Sequence, residues 1–250
     1  MSLTNVAYNA AFTWGDTRVK SLEAQMRQPL FNQHPVEMGL RGGGAAAVAA
    51  LEDSADYRER FTAAFPGEPA PVSMSHIIAA IAAFERTLIS GRSPFDRYVF
   101  DDERAALSES AKRGMALFYS PRAGCARCHS GINFAGPIVY EGHTHAAASF
   151  ADTGLDTPAD RGLMQASQRA ADAGKFRVPT LRNVTLTAPY MHDGRFATLD
   201  AVLEHYMRRG HSGPRSSRLR PFHLSEPERA DLIAFLGALT DPAFVDPRGL

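Results

Sequence analysis

The sequence predicts a mainly α-helical chain, and three observations predict it. Ile77, Ile81, Phe84 and Leu88 recur at helical spacing. Ser225-Glu226-Pro227-Glu228 is a capping box with proline in the first turn, ahead of Leu232, Phe235, Leu236 and Leu239 on one face. A third helical segment, Ser108 to Tyr119, ends just before a Cys-x-x-Cys-His run. With 250 residues, 44% of them apolar, the chain can bury one large core or two small ones.

The elements follow in order. Residues 1–45 are rich in turn formers and close on Gly42-Gly43-Gly44, so they are expected to be irregular. Ala45 to Phe65 reads as a helix or a helix pair, and Ser75 to Ile89 as a clearer helix. Ser90-Gly91-Arg92-Ser93-Pro94 breaks it. The helix from Ser108 to Tyr119 follows, and a domain boundary is expected near Phe100–Asp102, dividing 1–101 from 102–250. From Ser130 to Arg177 periodic signals are few, as in a long loop region. Leu199 to Arg208 reads as a helix, and the capped helix after Ser225 is the last.

Charge narrows the partners. Lys+Arg and Asp+Glu both number 27, and no basic stripe stands out, so nucleic acid is not expected. The longest nearly apolar run, Ile77 to Phe84, is far too short to cross a bilayer.

Cys125-Ala-Arg-Cys128-His129 contains both cysteines of the chain and reads as a c-type haem attachment site. The thiols add to the haem vinyl groups, and the adjacent imidazole ligates the iron. Zinc normally takes four ligands, and no second Cys/His pair stands at finger spacing. A disulfide across two residues would be strained. Haem c is attached outside the bacterial cytoplasm, so a periplasmic location is expected, although Met1-Ser-Leu-Thr-Asn5 lacks the features of a secretion signal.

Candidates for the opposite axial position are Met164, Met191, Met207, His192, His205 and Tyr206. Periodicity does not choose among them. Met207 suits a simple electron carrier, whereas a tyrosine, as a hard anionic donor, stabilises ferric and higher states.

Two long segments carry a resemblance. One is Phe176-Arg-Val-Pro-Thr-Leu-Arg-Asn-Val-Thr-Leu-Thr-Ala-Pro-Tyr-Met-His-Asp-Gly194; the other runs from Trp14 to Gly39 and ends Pro35-Val-Glu-Met-Gly39. They resemble the bacterial di-haem cytochrome c peroxidase and MauG family. Phe84-Glu-Arg-Thr-Leu-Ile-Ser-Gly91 and Ser93-Pro-Phe-Asp-Arg-Tyr98 look most like its methanobactin-associated, MbnH-like subgroup. The resemblance implies two cytochrome-c-like helical haem domains, the N-terminal one incomplete here because the first Cys-x-x-Cys-His is absent. One haem c is expected in this chain and two in a full-length protein.

The family's pattern carries over residue by residue. Counting from His192 places Tyr206 at the position that is methionine in the peroxidases and tyrosine in MauG-like members. Gln25, Pro29 and Glu37 match the distal pocket of the peroxide-binding haem, where Glu37 serves as proton-moving base and Gln25 as hydrogen-bond donor. Trp14 matches the tryptophan between the haems. Thr187 and Pro189 match two backbone-carbonyl ligands of a calcium ion. His192 matches a propionate-bonding position, whereas His34, His76, His143, His145, His205, His211 and His223 match no role.

The implied function is an oxidoreductase. Hydrogen peroxide would generate a high-valent di-haem state that oxidises a side chain of a periplasmic protein. The alternatives are a cytochrome c peroxidase fed by a small cytochrome or cupredoxin, and a mono-haem electron carrier or inactive remnant.

Overall fold

The computed structural model describes residues 1–143, 146–155, 160–208, 219 and 221–245. It is mainly helical, as the periodicity predicts, and it divides into two compact units, 19–87 and 1–18 with 88–250.

The smaller unit, 19–87, holds α1 (Leu22–Phe31), α2 (Ala45–Asp53), α3 (Ala55–Ala64) and α4 (Met74–Thr87). α1 corrects the expectation that residues 1–45 are irregular. Ser21 caps it by accepting from the Ala24 N–H at 3.1 Å, and Glu23 complements the dipole in the first turn. Pro29 hides the pattern, because proline lacks an N–H and normally breaks a helix interior; here it sits in the last turn, where little helix remains to lose. The expected helix over 45–65 is a pair divided at Ser54. Met26 and Leu30 of α1 pack against Ile78 of α4.

α4 also differs in its facing. The expected stripe places Ile77, Ile81 and Phe84 inward, but the buried residues are Ile78, Ala82 and Glu85, and Phe84 is 53% exposed. A buried glutamate on the inner face is what the apolar pattern fails to register.

The larger unit contains α5 (Pro94–Phe100), α6 (Glu109–Tyr119), β1 (Phe150–Asp152), α7 (Met164–Ser167), β2 (Lys175–Arg177), α8 (Leu199–Met207), α9 (Glu226–Gly237) and α10 (Pro242–Val245). The supposed breaker at 90–94 instead opens α5. Ser93 and Asp96 form a reciprocal capping box, and Pro94 occupies the first turn, where its missing N–H costs nothing. The Glu228 carboxylate accepts from the Ser225 N–H at 2.9 Å and so supports the start of α9. β1 and β2 form a two-stranded antiparallel pair with Phe150 opposite Arg177.

The core of this unit is aromatic. Phe95, Phe118, Phe134 and Phe235 meet mostly edge to face, with Leu203, Leu224, Leu232 and Leu239 around them. α6 crosses α9 at Gly114, where an added Cβ would collide with the Asp231 carbonyl and touch Phe235. Asp231 also accepts from Ser110 at 2.6 Å and from the Arg113 guanidinium at 2.7 and 2.8 Å. The crossing is thus closed by bare backbone and fixed by a bidentate pair. Among the described residues, no helix is long and apolar enough to cross a membrane.

Candidate haem-binding site

Local backbone shapes the Cys-x-x-Cys-His segment. Gly124 takes φ 65°, a left-handed conformation that reverses the chain after α6. A single 3₁₀ turn over Cys125–Arg127 follows, and the Cys125 carbonyl accepts from the N–H groups of Cys128 at 3.2 Å and His129 at 2.9 Å. In such a turn residues i and i+3 eclipse, so both thiols stand on one side. Both cysteines are free and half-buried. Burial, reinforced by the neighbouring Cys128 sulfur, pushes the Cys125 thiol up to about 11, against a smaller opposing backbone hydrogen bond.

His129 is oriented by the loop that follows. Its Nδ1 lies 2.8 Å from the Phe134 carbonyl. Burial lowers its pKa, and the carbonyls of Phe134 and Pro179 partly oppose that shift. The neutral ring is the form that ligates a metal. Phe134 has a left-handed φ of 51°, an uncommon conformation for a bulky residue, and its ring is locked in the aromatic core.

The two carbonyls before Phe134 are also engaged. Ile132 O accepts from Arg182 Nε at 2.8 Å, and Asn133 O from Thr180 Oγ1 at 2.7 Å. Arg182, only 1% exposed, pairs through both terminal nitrogens with Asp96 at 2.8 Å. Burial alone would raise the Asp96 pKa, but Arg182 and Ser93 outweigh it and hold the carboxyl below the usual range. Thr180, Arg182, Asp96 and Phe134 are positioning residues that sequence reasoning missed. Their available signal was the Ser-Pro-x-Asp cap and the Thr-x-Arg spacing within the matched segment.

The axial candidates separate only partly. The Tyr206 side chain on α8 is within electrostatic reach of both cysteine sulfurs; burial, then Cys128 and Cys125, push its pKa upward. His205 is engaged elsewhere, with Nε2 2.8 Å from the Thr153 carbonyl. His192 stacks on Phe176 at 3.5 Å between ring centroids, with Nε2 3.7 Å from Asp160. Met207 packs against the aromatic core alongside Cys125. Met164 opens α7, and Met191 stands outside any helix. His145 and His211 lie outside the described residues.

In the smaller unit, Gln25 and Pro29 are four residues apart on one face of α1. Met38 N–H bonds the Pro29 carbonyl, and Leu40 N–H the Leu30 carbonyl, both at 2.9 Å. This return brings the chain at Glu37 back to the end of α1. Glu37 is exposed and is flanked by Val36 and Met38, which are 64% and 67% exposed.

Trp14 belongs to the larger unit, where its carbonyl accepts from the Arg177 N–H at 2.8 Å. Thr187 and Pro189 are exposed, one after a 3₁₀ turn and one following a cis peptide bond.

Comparison with known proteins agrees with this architecture. A family model for di-haem cytochrome c peroxidase matches residues 1–104. The cytochrome-c peroxidase IdrP1 of Denitromonas iodatirespirans is 34% identical over 98% of this chain and 69% of its own. The chain belongs to the di-haem cytochrome c peroxidase and MauG family. The methylamine utilization protein MauG of Methylorubrum extorquens is 39% identical over 96% of this chain. The chain spans 64% of that relative's length. A crystal structure of a MauG-like protein associated with microbial copper homeostasis superposes with a TM-score of 0.91. It is 36% identical and covers 100% of this chain and 77% of its own.

Relatives named as peroxidases and as MauG proteins place the family among peroxidase-type oxidoreductases, and its di-haem description carries haem c as cofactor. The donor set here fits that group: paired free thiols on one turn, a neutral imidazole held by its Nδ1, and a buried phenol near both sulfurs.

Proposed function

We propose that this chain is part of a periplasmic haem c oxidoreductase that uses hydrogen peroxide to oxidise a side chain of a partner protein. Cys125 and Cys128 anchor one haem, with His129 and Tyr206 on opposite sides of the iron. The bound haem supplies a redox centre that stores oxidising equivalents. Residues 1–101 contribute to the peroxidatic domain and 102–250 form the second haem domain, with two haems in the full-length protein.

The observation that carries this reading is a buried tyrosine, Tyr206, within electrostatic reach of both haem-anchoring sulfurs. An anionic oxygen donor holds iron at low potential and suits stored oxidation rather than fast electron shuttling.

On the smaller unit, the Glu37 carboxylate takes the proton from the inner peroxide oxygen, and the Gln25 amide donates to bound oxygen. Pro29 brings no N–H to that face. The exposed apolar side chains beside Glu37 suit one face of a porphyrin. Trp14 relays oxidising equivalents through its indole. Thr187 and Pro189 contribute carbonyls to calcium; neither carbonyl accepts a backbone hydrogen bond among the described residues.

Tyr206→Phe, with haem attachment verified by intact mass, tests the axial assignment. Loss of the wild-type ferric EPR signature is the expected result; an unchanged signature refutes tyrosine ligation. A second reading, a peroxide-reducing enzyme fed by a small cytochrome or cupredoxin, draws on Met207, which packs beside the same core as Cys125. That reading predicts that Met207→Leu, and not Tyr206→Phe, changes the signature.

A further inference from the structure

Arg177 is a buried cation without a protein counter-charge. It is 6% exposed, and no carboxylate among the described residues lies within ion-pair distance. Its Nε has no hydrogen-bond partner, and one terminal nitrogen reaches only the Met1 sulfur, at 3.0 Å. The guanidinium stands 6.0 Å from the centre of the Trp14 ring, a weak compensation for a desolvated charge. Burial draws its pKa down to about 10. Folded proteins pair buried charges, since a desolvated and uncompensated ion costs several kcal/mol, on the order of the whole stability of a domain.

Three features tie this cation to the haem site. The guanidinium lines a recess together with Ala135 and Pro137, in the stretch directly after Phe134, whose carbonyl orients His129. Two residues beyond Arg177 is Pro179, whose carbonyl acts on the His129 ring. The backbone of Arg177 is fixed on both sides: its N–H bonds Trp14 O at 2.8 Å, and the next N–H, of Val178, bonds Ser149 O at 2.9 Å. The side chain therefore projects from rigid backbone.

We propose that Arg177 binds a propionate carboxylate of the haem anchored at Cys125 and Cys128. The proposal rests on the haem reading above. A carboxylate matches the planar fork of a guanidinium, and a propionate arrives with the cofactor, so the charge is compensated when the cofactor is. The paired propionate then also lies beside Trp14.

The test uses holoprotein matured in a periplasmic host, comparing wild type with Arg177→Gln and Arg177→Lys. Intact mass reports haem attachment; midpoint potential from pH 5 to 9, and the propionate bending mode in resonance Raman, report the contact. The expected result is a lower potential in the glutamine variant, with a propionate titration newly visible as pH dependence and a shifted Raman band. The lysine variant retains part of the wild-type behaviour. An unchanged potential, pH profile and Raman band in haem-loaded Arg177→Gln overturns the proposal.

If the glutamine variant does not fold, the wild-type Raman band decides alone: a hydrogen-bonded propionate supports the contact, and a solvated one overturns it. A wild-type potential that tracks added acetate identifies a free carboxylate as the ligand and overturns the haem source. An unmodified wild-type mass would remove the haem reading itself, and this inference with it.

Discussion

The two units hold their candidate residues in opposite ways. In the larger one, His129 faces a carbonyl whose residue is strained, ring-locked and preceded by two further engaged carbonyls. In the smaller one, Gln25 and Pro29 ride on a ten-residue helix, and Glu37 sits on an exposed return held by two backbone hydrogen bonds. The first arrangement fixes a ligand by tertiary structure. The second places side chains on a face whose order depends little on them. Mutations in the first should therefore register as attachment or stability, and mutations in the second as chemistry.

The largest effect on the folded holoprotein should come from replacing both Cys125 and Cys128 by alanine. Covalent haem at this site should vanish, as read by intact mass; a retained haem increment would break the comparison at once. Phe235→Ala should follow. This side chain is fully buried against Phe95, Phe118 and Phe134, and its truncation should cost about 3–5 kcal/mol in denaturant unfolding.

Asp96→Asn should come next, at a few kcal/mol, because it leaves the buried Arg182 without a full partner. This variant also carries a pH signature. The folded pKa of Asp96 is depressed, so its contribution is complete above the unfolded value near ~3.9 and is lost as pH falls through the folded value. The acid limb of the stability profile should be shallower in the asparagine variant than in the wild type.

Glu37→Gln should do least to the fold, staying within about 0.5 kcal/mol because the side chain is exposed. In full-length protein it should nevertheless slow peroxide reaction by roughly 10²–10⁴-fold, measured by stopped flow. A strongly destabilised but fully reactive variant would reverse the contrast between the units.

The larger unit was the more legible in sequence, for a physical reason. Helices that bury one stripe announce themselves, as α6 and α9 do, and Cys-x-x-Cys-His leaves few chemistries open. α1 and α5 were hidden by proline, whose meaning depends on its position in the turn. At Pro94 it starts a helix, and at Pro29 it interrupts the last turn of one. The inward face of α4 was misread because Glu85 carries no apolar signal. Its carboxyl, raised by burial against the influence of Arg86, has one oxygen without a partner.

The clamp on residues 132–134 could not be read at all. It is made of carbonyls, which every residue possesses, and partners that lie far along the chain. Tyr206 became a candidate only through the family's register, since one aromatic on a helix usually serves packing.

The bare-backbone crossing at Gly114 has a consequence for the order of maturation. Phe235, which seats Phe134, lies on the last long helix, so the loop that orients His129 cannot reach its final form until nearly the whole chain has been synthesised. Contacts so distant in sequence close late in folding. Until then Cys125 and Cys128 sit in an unlocked segment open to the attachment machinery. Once α9 docks on α6, the same thiols are half-buried and the imidazole is set. The crossing thus acts as a timer, separating the period in which a haem can be attached from the period in which it can work.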